Sequence, residues 1–202
     1  AVQSGTKLIN GFDAAPGERV DLVLDFDACK SIVARGNGKF GLKPVVQVIP
    51  TVLNGISGYI DPALLDDKVM VSAQQDGNVV RATVPNPATG EFFLARMEPG
   101  NYDVVITADA HAAAVVAAVP VASPTATVSL STPAAPLALQ PAVEPEGAIS
   151  GAVTLPAGSS DLALVAAQQT FASGPRVTVK YQGVEAGGAY LLSRLPTAAP
   201  HL

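Results

Sequence analysis

Val69-Met70-Val71-Ser72-Ala73-Gln74-Gln75-Asp76-Gly77-Asn78-Val79-Val80-Arg81-Ala82-Thr83-Val84 decides the fold. Its two halves, residues 69–73 and 78–84, are rich in β-branched side chains and read as strands. Asp76-Gly77 stands between them. The favoured two-residue hairpin turn needs positive φ at both central residues, and this dipeptide tolerates it. The stretch is a β-hairpin.

Moving outward, short strands recur between turns. Ile56-Ser57-Gly58-Tyr59-Ile60 comes before the hairpin. After it come Glu91-Phe92-Phe93-Leu94-Ala95-Arg96-Met97 and Tyr102-Asp103-Val104-Val105-Ile106-Thr107, joined by Glu98-Pro99-Gly100-Asn101. Residues 113–121 and 125–130 supply one or two more. Residues 112–118 are Ala-rich, but Val115, Val116 and Val119 with Pro120 favour a strand. Regular spacing of this kind means a β-sandwich. No helical periodicity of useful length occurs.

Towards the N-terminus, Arg19-Val20-Asp21-Leu22-Val23-Leu24-Asp25-Phe26-Asp27 alternates with period two, Val23 interrupting the polar face. Val20, Leu22, Leu24 and Phe26 form an apolar face, and Asp21, Asp25 and Asp27 lie on the other, as in a half-buried strand. Residues 7–12 read as its antiparallel neighbour through Ala15-Pro16-Gly17. Residues 28–34 are expected to form one helical turn, capped by Asp27 and ended by Gly36-Asn37-Gly38. Residues 39–49 resume strand character, with Pro44 marking an edge or bulge. Far downstream, residues 132–147 contain four prolines and predict an extended, semi-rigid spacer at a domain boundary.

Beyond that spacer the earlier pattern returns. Ile149-Ser150-Gly151-Ala152-Val153 echoes residues 56–60, and Val165-Ala166-Ala167-Gln168-Gln169 echoes residues 71–75. Gly188-Ala189-Tyr190-Leu191-Leu192-Ser193-Arg194-Leu195 echoes residues 90–97 in the same order. The fold expected is therefore all-β, with tandem antiparallel β-sandwiches of transthyretin or immunoglobulin type. The first domain is expected to be incomplete at its N-terminus and the last at its C-terminus. The divisions are 1–52, 53–131, the linker 132–147, and 148–202.

Residues 56–107 resemble the carboxypeptidase regulatory-like domain, a transthyretin-type sandwich of exported bacterial proteins. The resemblance rests on Ile56-Ser57-Gly58, Thr89-Gly90-Glu91-Phe92-Phe93-Leu94 and Pro99-Gly100-Asn101-Tyr102-Asp103-Val104-Val105. It implies that Tyr102 enters the core as its strand begins. Residues 1–52, on the residues from Asp21 to Val33 and on Leu42-Lys43-Pro44-Val45, resemble the C-terminal end of domain-of-unknown-function family 4382. That family's members are bacterial, commonly with lipoprotein-type export signals, and often carry regulatory-like sandwiches downstream. The resemblance implies fold and setting, and no activity.

Composition narrows the chemistry. The 202 residues are 49% hydrophobic and 14% charged, with 18 glycines and 17 prolines, which excludes a helical bundle and a disordered chain. Twelve basic against seventeen acidic residues give −5, against any nucleic-acid footprint. No apolar run reaches the ~18 residues of a membrane helix. The sequence opens without Met, basic n-region or apolar h-region, which reads as a mature, clipped or partial chain.

One cysteine, two histidines and no tryptophan leave little for catalysis. Cys29 has no disulfide partner and reads as a half-buried, inert thiol. His111 is expected to be exposed in a loop, and neither it nor His201 has a ligand pair at useful spacing. The Asp21, Asp25 and Asp27 stripe is the one cation candidate, for Ca²⁺ through hard oxygens, although no Gly-punctuated acidic loop accompanies it. Asp66-Asp67 and Glu144 with Glu146 read as solvated charge. Gly147-Ala148-Ile149-Ser150-Gly151 lacks a nucleophile elbow's spacing. Phe92, Tyr102 and Tyr190 read as core.

The function expected is a non-catalytic structural or adhesive module of a bacterial exported or cell-surface protein, without a cofactor and not an enzyme. Partners would be copies of itself, as a homo-oligomer or filament formed by β-strand addition, or missing segments that complete the partial domains. Nucleic acid is excluded as a partner, and a membrane enters only through a lipid anchor outside these residues. The alternatives are a glycan- or peptide-binding module and an accessory domain of a larger exported enzyme.

Overall fold

The computed structural model describes residues 54–143, 145–156, 163–184 and 187–196, together with the backbone of four strands nearer the N-terminus. Regular structure there is all β, apart from one 3-10 turn, Pro62–Leu64, where Ala63 N donates to Asp61 Oδ1 at 2.9 Å. The chain divides into two compact units. The first comprises Ala1–Val52, Ser150–Val165 and Gln182–Tyr190; the second comprises Leu53–Ile149, Ala166–Tyr181 and Leu191–Leu202.

In the first unit, β1 (Leu22–Phe26) pairs antiparallel with β4 (Val46–Pro50), Leu24 facing Val48. β2 (Ile32–Arg35) pairs with β3 (Lys39–Leu42), Ile32 facing Leu42. This corrects the expected helical turn over 28–34 at residues 32–34, residues 28–31 lying outside the described residues. Ile32 and Val33 are β-branched, stiff at χ1, and find a strand partner just across Gly36-Asn37-Gly38. Pro44 and the expected strand at residues 7–12 lie outside the described residues.

The second unit holds a β-sandwich. One sheet has the order β10-β9-β6-β7. Its strands are β6 (Met70–Gln75), β7 (Asn78–Thr83), β9 (Gly100–Thr107) and β10 (Ala114–Val121). The other, β11-β5-β8, consists of β5 (Gly55–Tyr59), β8 (Glu91–Ala95) and the short β11 (Thr127–Ser129), which runs parallel to β5. The hairpin that opens the sequence argument forms as expected: Asp76 and Gly77 have φ of 51° and 76°. Ile56, Phe92 and Leu94 from one sheet meet Val71, Ala73, Tyr102, Val104, Ile106, Val119 and Val121 from the other in a single core. Tyr102 is 2% exposed, as the resemblance implies.

The four-stranded sheet is apolar on both faces. Val105 and Ala113, beyond the core, are covered by Phe171 and Val177, with Val115 and Val179 at the margin. Val177 belongs to β14 (Arg176–Gly183), paired with β13 (Leu164–Thr170). A second ladder joins β12 (Gly147–Ala152) to β15 (Ala189–Leu195).

Between β11 and β12 the proline-rich stretch is extended and lies along the sandwich. Prolines remove donors, yet the amides between them are used. Leu137 N donates to Tyr59 O and Asp61 N donates to Leu137 O, both at 2.8 Å. Ala112 N donates to Gln140 O and Ala142 N to Ala110 O, both at 2.9 Å. Leu139 is buried among the core side chains.

The two copies of the repeat share backbone detail that the amino-acid echoes only hint at. Gly90 (φ +72°) and Gly188 (φ +82°) both lie where a Cβ would fall 2.3 Å from a carbonyl oxygen, that of Ile60 or Val153. The same pairs are tied by Ile60 N to Gly90 O at 2.9 Å and Val153 N to Gly188 O at 2.7 Å. Phe92 packs over Gly58 and Tyr190 over Gly151. Arg96 and Arg194 are both left-handed, at φ 58° and 52°. Burial diverges at several equivalent pairs: Ile56 is fully buried and Ile149 is 50% exposed, and Gln74 is buried where Gln168 is exposed.

Candidate functional site

The feature that stands out is a strand edge. In β5, backbone groups of alternate residues serve opposite neighbours. Ile60 N points to β8, while Gly55 N bonds Ala126 O at 3.2 Å and Ser57 O accepts from Leu130 N at 2.9 Å on the β11 side. Tyr59 finishes that edge: its N donates to Ser131 Oγ at 2.7 Å and its O accepts from that hydroxyl at 3.0 Å. Every outward group of β5 is thus met.

β12 repeats the sequence pattern of β5. Val153 N to Gly188 O fixes which parity faces β15, so Ala148, Ser150 and Ala152 present their N–H and C=O groups on the opposite edge. Among the described strands, β12 pairs only with β15. All its residues are exposed, and Gly147-Ala148-Ile149-Ser150-Gly151-Ala152 carries neither charge nor proline. Edge strands are usually guarded by one or the other.

Polar side chains elsewhere act as fasteners. Gln74 is fully buried, and its amide pairs with the backbone of β14 as a neighbouring strand would: Nε2 donates to Thr178 O at 2.7 Å and Oε1 accepts from Thr178 N at 2.8 Å. Thr178 Oγ1 donates to Gly77 O at 2.6 Å. Asn54 does likewise for Met97, with Nδ2 donating to its O at 2.6 Å and Oδ1 accepting from its N at 3.0 Å.

A charged knot gathers at the turn between β9 and β10. The Arg194 guanidinium donates to Asp109 Oδ2, and Lys68 Nζ lies 3.5 Å from the same oxygen. Partial burial works to raise the Asp109 carboxyl, but hydrogen bonding and charge from Arg194, with Lys68, outweigh it and hold the group below its ordinary value. Burial first, then the Glu98 charge, raises Tyr102, against a smaller opposing pull from Arg81; its hydroxyl donates to Glu98 O at 2.8 Å.

Among the described residues, those singled out from the sequence do not converge. Asp25 sits in β1 opposite Gln47, while Asp21, Asp27, Cys29, Glu144 and His201 lie outside the described residues. His111 is half-buried rather than exposed, because its Nδ1 donates to Asp109 O at 2.8 Å with Asp67 Oδ2 3.8 Å away. Glu146 accepts from Ala110 N at 2.6 Å instead of standing free in solvent. Tyr190 is half-buried, unlike the core pair Phe92 and Tyr102. Among the described residues no group of three or more His, Cys, Asp or Glu could hold a metal, and no helix is long and apolar enough to cross a membrane. β14 lies outside the segments named from the sequence, although Val177, Val179 and Tyr181 alternate and are the signal that finds it.

An all-β sandwich protein is what the chain is, and its residues 1–44 match the family model described as Domain of unknown function (DUF4382). No curated protein matches the chain. One similar solved structure is the crystal structure of an N-terminal interface mutant of a type II cohesin-X-dockerin complex from Acetivibrio cellulolyticus. It is 22% identical, covers 44% of this chain and 58% of that one, and has a TM-score of 0.37. The chain thus spans a little over half the length of that structure.

Proposed function

We propose that this chain is a non-catalytic structural or adhesive module of a bacterial exported or cell-surface protein, and that it assembles with other polypeptides by strand addition. The observation that carries this reading is the contrast between two edges of one repeat. Among the described residues, β5 has each outward backbone group met by β11 and Ser131, whereas β12 pairs only with β15. The fasteners point the same way. Gln74, Asn54, Asp109 and Arg194 hold backbone or one another.

The bacterial and exported setting is drawn from the match of residues 1–44 and from the regulatory-like pattern of residues 56–107. A peptide-binding module is the second reading, favoured by the fact that β5 accepts a short parallel strand, Thr127–Ser129. Sedimentation velocity and negative-stain microscopy of the full chain test the proposal. Species larger than one chain, growing with concentration, are expected; a monomer up to about 1 mM, the weak limit of measurable association, overturns it.

A further inference from the structure

We infer that Asn54-Gly55 is a latent site of spontaneous deamidation. The folded sandwich holds it inert; once the start of β5 opens, Asn54 turns to aspartate or isoaspartate and keeps the chain from closing again.

An asparagine followed by glycine is open to attack on its own side chain, because glycine has no Cβ to shield its amide. The Gly55 nitrogen, having lost its proton, adds to the side-chain carbonyl carbon of Asn54. A C–N bond forms, the bond from that carbon to Nδ2 breaks, and Nδ2 leaves as ammonia with the proton that Gly55 gave up. Water then opens the resulting cyclic imide. Cleavage at one carbonyl gives aspartate; cleavage at the other gives isoaspartate, with the main chain rerouted through the side chain. Water is the one co-reactant, and no oxidant or reductant enters.

The fold holds both reacting groups. Asn54 is 2% exposed. Its Nδ2 donates to Met97 O at 2.6 Å and to Ser123 O at 3.1 Å, and its Oδ1 accepts from Met97 N at 3.0 Å. Its own carbonyl accepts from Arg96 N at 2.7 Å, and Gly55 N donates to Ala126 O at 3.2 Å. Attack therefore waits until Asn54 lets go of Met97 and Ser123 and Gly55 lets go of Ala126, a local opening of the first residues of β5. Packing itself sets the labile pair. A Cβ at position 55 would collide with Leu94 O, and the Asn54 amide is what ties the Met97 backbone. The equivalent positions of the second copy read Gly147-Ala148, which lack the reactive side chain.

Conversion reverses the hydrogen bonding. Ionised aspartate only accepts, so an oxygen in the place of Nδ2 would set a buried charge against the carbonyls of Met97 and Ser123. Isoaspartate lengthens the main chain beside Gly55, where it pairs with Ala95. Either product removes the tie between the turn after β8 and the turn that leads into β11. Opening then becomes permanent, a chemical form of irreversible unfolding.

The test follows the full chain by peptide mass mapping at mildly alkaline pH, in native buffer and in guanidinium chloride, and reads the mass gain of amide-to-acid conversion. In denaturant Asn54 should convert at the pace of Asn10 and Asn37, which also precede glycine. In native buffer Asn54 should convert at least about a hundredfold more slowly, since only the opened fraction reacts. Asn54→Asp installs one product directly. It should unfold at lower denaturant than the parent at neutral pH, and the gap should close as pH falls towards about 4, where a protonated carboxyl again donates one hydrogen bond. The rate comparison uses the parent chain and so needs no variant to fold. Equal Asn54 rates in the two buffers overturn the inference, as does an Asn54→Asp chain that keeps the parent's midpoint at neutral pH.

Discussion

Single residues carry more of this fold than their chemistry suggests. Gly90 works because a left-handed φ of +72° and a carbonyl 2.3 Å from where its Cβ would be leave no space for a side chain. Gly90→Ala should lower unfolding free energy by at least about 1–3 kcal/mol through backbone strain, read by urea denaturation with an unchanged m-value. Gln74→Ala strands the N–H and C=O of Thr178 in a buried setting, and about 1–3 kcal/mol is the expected cost.

Asp109 gives a pH signature. Its carboxyl is lower in the fold than in the unfolded chain, so its contribution is present above the unfolded value of about 4 and is lost as pH falls through the lower folded value. Because Arg194 is 53% exposed the effect is small, under about 1 kcal/mol. Comparing acid melting of wild type with Arg194→Met detects it: the variant should lose the extra acid sensitivity. Tyr102 runs the other way. Its raised value means that it ionises above the ordinary tyrosine value in an alkaline absorbance titration, and Tyr102→Phe should delete that late step.

At the scale of elements, sequence pattern was a good guide where a strand is half-buried or closed by a tight turn. β6, β7 and their Asp76-Gly77 turn were legible because alternation and turn chemistry agree. The expected helical turn fails at residues 32–34 because an Asp before the segment and glycines after it suit more than one backbone form in sequence, and the pairing of Ile32 with Leu42 makes this part a strand. The proline-rich stretch was readable as extended but not as docked. Its contacts come from Leu139, Ser131 and isolated amides, which no periodicity announces. The fasteners Gln74 and Asn54 were invisible for the same reason: a side-chain amide that mimics a strand acts over a distance of 104 residues in one case and 43 in the other. If the docking of 131–142 is right, the amides of Leu137 and Ala112 should exchange with solvent as slowly as those of β5, by amide hydrogen exchange.

For the molecule as a whole, what matters is that residues from both copies of the repeat meet inside the second unit. Within the second unit, Phe171 and Val177 lie on Val105 and Ala113, Gln74 pairs with Thr178, and Arg194 grips Asp109. A fragment of residues 53–146 would lose those partners. It would bare the outer face of the four-stranded sheet and leave Gln74 buried without a mate or newly hydrated. Burying one Val or Phe side chain is worth about 1.5–3 kcal/mol, comparable to much of the ~5–15 kcal/mol stability of a domain once two such contacts and the amide pair are gone. The fragment should therefore unfold at clearly lower urea than the full chain and bind a hydrophobic dye. Residues 147–202 alone should not fold, since the surface that buries Val177 belongs to the other copy. Equal denaturation midpoints for the fragment and the full chain would mean that the proline-rich stretch divides two independent domains and that the contacts of β14 add nothing.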